Sequence, residues 1–142
     1  MKTAIFEADR PVLLVPGKAA QTIGRSIAIL WDDEQPTVRA VLDAMPLLAR
    51  AERVFVLIPT NHDVLLHQLP QLLIDHDVNG EIHTIESAPR ALGRALLDQI
   101  HHLGADLLVF GAYVHNPLIE LISGGVTRYM VAHTDLPVLM RH

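Results

Sequence analysis

From Ser26 onward, short apolar runs alternate with longer stretches in which apolar side chains return at helical spacing. This is the pattern of βαβ units wound around a parallel sheet. SIAILW (26 to 31) predicts a strand, and Pro36 suits the first turn of the helix after it. In that helix Val38, Val41, Leu42, Met45 and Leu48 fall on one face, while Pro46, inside the same pattern, predicts a kink. RVFVLIP (53 to 59) predicts a second strand, followed by a helix from Asp63 to about His76 that is bent or interrupted at Pro70. EIHTIE (81 to 86) alternates as a third strand with one polar face. Residues 88 to 103 repeat apolar side chains at Leu92, Ala95, Leu96, Ile100 and Leu103, and Gly104 supplies the stop.

DLLVF (106 to 110) is apolar throughout, as a central strand covered on both faces should be. Beyond a glycine-containing loop, Asn116 suits an N-cap and Pro117 a first helical position, with Leu118, Leu121, Ile122, Val126 and Tyr129 forming the buried stripe. PVLM (137 to 140) is the last strand. The expected fold is α/β, a five-stranded parallel open sheet with helices on both faces between Ser26 and His142. Residues 1 to 25 stand outside it, yet DRPVLLV (9 to 15) echoes DLPVLM (135 to 140). The echo predicts an extra N-terminal strand at residues 12 to 15, lying against 137 to 140 in the same chain or by exchange with a neighbour. It also predicts a homodimer built around these two strands.

Composition narrows the function. Only 19% of residues are charged and half are apolar, which excludes intrinsic disorder. A net charge of −5 with scattered Lys and Arg argues against a nucleic-acid surface. With no cysteine there is no disulfide or thiolate chemistry. No run approaches the ~20 apolar residues of a membrane span, and Glu7 and Asp9 interrupt what a signal peptide would need, so the cytoplasm is the expected location.

GAYVHNPLIELISGGVT (111 to 127) has the outline of a phosphate-holding loop, with small residues flanking an amphipathic turn. Together with GADLLVF before it, PVLM after it and AILWDDEQPTVRAVLDAMPLLARAERVFVL at the start, it resembles the universal stress protein family over nearly all of residues 26 to 142. The resemblance implies an adenine nucleotide alpha hydrolase-like sheet with its nucleotide site at the carboxyl ends of the first and fourth parallel strands. Some members carry two such domains, and residues 1 to 25 resemble the remnant strand and linker of a preceding one, with 26 to 142 the second domain.

Nucleotide-binding members share a G-x2-G-x9-G-[ST] pattern. Here Gly111 and Gly124 match the first and third glycines, while Val114 replaces the second and Gly125 the hydroxyl residue. Asp32 matches the family's acidic residue after the first strand, but Asp33 and Glu34 replace the small residues that usually follow. The nucleotide-binding positions implied by the resemblance are Asp32, Ile58, Gly111, Val114, His115, Gly124, Gly125, Val126 and Thr127. A β-branched residue fits φ > 0 poorly, Gly125 offers no hydroxyl, and the added acids repel phosphate. Together these losses exceed about 3 kcal/mol, or roughly a hundredfold in affinity.

The expectation is therefore no firm cofactor, with ATP or AMP held weakly at most. The glycines would remain for close helix–strand packing, and Asp32 reads equally as a cap for the next helix. The nine histidines show no HExxH or ligand-spaced carboxylate partner, so no metal is expected; His115 stands out for its place at the mouth of the loop. Trp31 reads as core or rim packing. With no general base at a motif-defined position, the chain is expected to be non-enzymatic and to act through dimerisation. The alternatives are an ATP- or AMP-binding protein with slow ATPase activity, and a pure module for protein partners; neither nucleic acid nor membrane is an expected partner.

Overall fold

The computed structural model describes residues 9–17, 22–60, 69–112 and 125–142. Their strands are β1 (Val12–Leu14), β2 (Ser26–Leu30), β3 (Arg53–Pro59), β4 (Glu81–Ile85), β5 (Leu107–Gly111) and β6 (Val138–Arg141). Their helices are α1 (Gln35–Leu48), α2 (Gln71–Asp75), α3 (Leu92–Leu103) and α4 (Val126–His133), with a 3₁₀ turn at Pro89–Ala91 leading into α3. The six strands form one sheet in the order β1-β6-β5-β2-β3-β4. β2 to β6 are mutually parallel, and β1 is added antiparallel to β6.

Alternation along the strands divides the core in two. Ala28, Leu30, Phe55, Leu57, Leu108 and Phe110 face α3 and α4, while Ile27, Ile29, Val54, Val56, Leu107 and Val109 face α1 and α2. Trp31 belongs to the second cluster and is buried, as the sequence predicts. The α3 stop is formed by Gly104 at φ 73°, with the Ala105 amide donating back to the Ile100 carbonyl at 3.2 Å. α3 and α4 approach closely at Gly93: a Cβ there would lie 2.7 Å from the Tyr129 Cβ.

Two helical expectations need correction. In α1 the buried residues are Thr37, Ala40, Val41, Ala44 and Leu48, and Leu42 is exposed. The face chosen is the one with small side chains, because it lets the helix lie close to the sheet. The helix also continues through Pro46 to Leu48, although a proline there leaves the Leu42 carbonyl without its helical N–H partner. The second correction concerns Val126 and Tyr129. They do not continue a helix from Pro117, because Gly125 has ψ 132° and α4 begins after it. Asn116, Pro117, Leu118, Leu121 and Ile122 lie outside the described residues, as does Asp63. The helix expected on both sides of Pro70 is described only after it, where α2 starts at Gln71.

Tertiary hydrogen bonds tie both ends of the sheet. The Asp106 carboxylate accepts from the Thr22 hydroxyl at 2.6 Å and from the backbone amides of Gly24, Arg25 and Ser26 at 3.0 to 3.1 Å. It thereby staples the entry of β2 to the start of β5. At the other end of the sheet Arg141 donates to Asp43 of α1 at 2.8 Å and to Asp9, ahead of β1, at 2.9 Å. No helix among the described residues is long and apolar enough to cross a membrane.

Candidate functional site

Strand order reverses between β2 and β5, so ligands of such a sheet are expected at the carboxyl ends of these two strands. Their register, Ile29 opposite Val109, sets the Asp32 loop and Gly111 at that same end. Asp32 follows β2 and turns the chain into α1. Its Oδ1 accepts from the Glu34 amide at 3.1 Å and from the Thr37 hydroxyl at 2.6 Å. The first bond is an Asx turn and the second reaches the first turn of α1. Asp33, between them, takes φ 64°, a conformation aspartate tolerates better than most residues. Asp32 thus holds the turn that leads into α1, whose N-cap is Glu34.

Thr37 was not among the candidate residues, yet it is buried at 1% exposure. A buried hydroxyl needs a partner, and Asp32 provides it. The available signal was a threonine one place after a helix-starting proline, with an aspartate just upstream.

Gly111 ends β5 with its backbone against the beginning of α1. A Cβ at this position would overlap the Thr37 amide and lie 2.6 Å from the Pro36 carbonyl carbon and 2.7 Å from the Thr37 hydroxyl. Glycine is required here by the helix that crosses over it. Asp32, Thr37 and Gly111 therefore form one packed corner at the switch point.

The other positions sit differently. The Ile58 side chain is fully buried in the core under α1 and α2, so only its backbone is left to face a ligand. Gly125 is the N-cap of α4, and its carbonyl accepts from the Tyr129 amide at 3.0 Å. Thr127 is buried in the first turn and Val126 packs against the core beneath α3. Val114, His115 and Gly124 lie outside the described residues. Among the described residues no three His, Asp or Glu side chains cluster as metal ligands.

The charge at this corner is negative, from Asp32, Asp33 and Glu34 in succession. Shifted titrations occur elsewhere. Its hydrogen bond from Arg141, with that residue's charge, holds the Asp9 carboxyl below the usual aspartate range. Hydrogen bonds from Arg53 and then His83 do the same for Glu81.

A model of the universal stress protein family matches residues 32–142. The chain belongs to that family. It is 29% identical over 69 residues to the stress response protein NhaX of Bacillus subtilis (strain 168), a match covering 49% of this chain and 40% of that protein. The family fold is evident in two solved structures. A universal stress protein from Archaeoglobus fulgidus DSM 4304 superposes with a TM-score of 0.76 at 12% identity, covering 94% of this chain and 50% of that one. A universal stress protein in complex with cAMP gives 0.59 at 18% identity, covering 83% and 96%. The chain thus spans half the length of the first of these structures and less than half that of the Bacillus relative.

Proposed function

We propose that this family member is a non-enzymatic stress-response domain of the cytoplasm whose adenine-nucleotide site is weakened, and that it acts through self-association built around β1 and β6. The observation carrying this reading is the fit of Gly111 against Thr37 and Pro36. That glycine has a packing reason of its own, so its agreement with the nucleotide pattern is no argument for a ligand. Without it, the pattern retains one matching glycine of three, with Val114 and Gly125 in the other substituted places. Asp32 is likewise engaged in holding the β2–α1 turn, and the two acids after it oppose a polyphosphate.

The second reading, a nucleotide-binding protein with slow ATPase activity, is favoured by the relative that carries cAMP. Thermal shifts with ATP, ADP, AMP and cAMP in the presence of Mg²⁺ separate the two. The proposal expects negligible stabilisation by any of them, and an increase for ATP in a Val114→Gly, Gly125→Ser double variant. Low-micromolar ATP binding by the unmodified chain, or phosphate release lost on Asp32→Ala and His115→Ala, would establish the second reading instead.

A further inference from the structure

The pairing of β1 with β6 has an internal symmetry. Val12 stands opposite Met140, Leu13 opposite Leu139 and Leu14 opposite Val138. In the echo between the two segments, Val12 corresponds to Val138, Leu13 to Leu139 and Leu14 to Met140. Each residue therefore faces the counterpart of its mirror position, and the centre of the pair is Leu13 on Leu139. This is the register of two identical antiparallel strands related by a twofold axis.

We propose that β1 is a tethered stand-in for the β6 of a second copy of this chain, and that its docking masks the edge through which two copies pair. The inference rests on the self-association reading above, narrows its seam to β6 and makes β1 its control. β6 is the apolar partner: Val138 and Met140 are fully buried, and removing β1 would leave their strand as an open edge. β1 is the lighter one, three residues long, with Leu13 48% exposed and only Val12 and Leu14 packed against the core.

The polar ends agree with the same symmetry. Asp9, two residues before Pro11, corresponds to Asp135, two residues before Pro137. Asp9 bonds to Arg141 at 2.9 Å. In a β6–β6 pair, Asp135 of the second copy would take the place of Asp9 beside Arg141, once on each side of the axis. Asp135 now lies at the surface beside His101.

The test uses two variants of a chain that otherwise contains no cysteine. In Val12→Cys, Met140→Cys the paired positions can be oxidised to pin β1 in place. The second variant lacks residues 1 to 16. Sedimentation equilibrium is expected to find the oxidised chain monomeric and the reduced chain in a monomer–dimer equilibrium. The truncated chain should dimerise roughly a hundredfold more tightly than the reduced one, because both copies must be unmasked and each mask is docked about nine-tenths of the time. A peptide of residues 9 to 17 should return it toward monomer. Equal dimerisation of the oxidised and reduced chains would overturn the masking and leave self-association standing. If neither form dimerises and the folded truncated chain stays monomeric, both fail. Should the truncated chain not fold, the oxidised and reduced chains decide the question alone.

Discussion

Gly111 and Thr37 are in backbone contact, with no room between them for a Cβ. Gly111→Ala should therefore destabilise the protein by about 2 kcal/mol or more, because the atoms that would have to yield belong to the α1 backbone and not to a flexible side chain. Urea denaturation without any nucleotide measures this. Unchanged stability would mean that the glycine is kept for something other than packing.

The Asp32–Thr37 hydrogen bond should appear as a coupling energy. Thr37→Val keeps the shape, removes the donor and should cost about 2 kcal/mol, as for a bond to a charged acceptor. Asp32→Ala should cost a similar amount. The double variant should be less destabilised than the sum of the two by about 1 kcal/mol or more. Strict additivity would show that the two side chains act independently.

Asp106 gathers four donors from residues 22 to 26, so Asp106→Ala should cost about 2–3 kcal/mol and Asp106→Asn less. Amide hydrogen exchange should locate the damage. The Gly24, Arg25 and Ser26 amides should lose protection before the centre of β2 does.

The contribution of Asp9 depends on acid. Arg141 holds its folded pKa below the unfolded one, so its stabilisation is fully present above the unfolded value and is lost as pH falls through the folded value. The effect should be small because Asp9 is exposed. Arg141→Gln should move the Asp9 carboxyl midpoint upward in an NMR titration, toward the ordinary aspartate range. A midpoint that stays in place would mean that the pair does not persist in solution.

The parallel strands were legible because four are compact apolar runs and the fifth, EIHTIE, alternates, and the β1–β6 pair was legible because one sequence repeats the other. The face of α1 was harder to read. Val38, Leu42 and Met45 form a plausible apolar stripe, but Ala40 and Ala44 permit the closer approach, and that approach is what brings α1 onto Gly111. Thr37 was missed because a hydroxyl among apolar positions looks like a break in the stripe until its carboxylate partner is in place. The Asp106 staple could not be seen at all, since its donors are some 80 residues away in sequence. At the candidate site, Asp32 and Gly111 lie at the ends of β2 and β5, where the sequence pattern puts them, while Val114, His115 and Gly124 fall outside the described residues.

The antiparallel addition of β1 also decides how this edge responds to tension. Val12 lies beside Met140 and Asp9 beside Arg141, so the start of β1 and the end of β6 leave the sheet at the same side. Pulling them apart would load the Asp9–Arg141 pair first and then the strand's hydrogen bonds in succession, as in opening a zip. Drawing Val15 away from Met140 along the strand direction would instead strain all of those bonds together in shear. The same three-residue ribbon is thus weak in one direction and stiff in the other, and an attachment at Asp9 would release β1 at a far lower force than one at Val15.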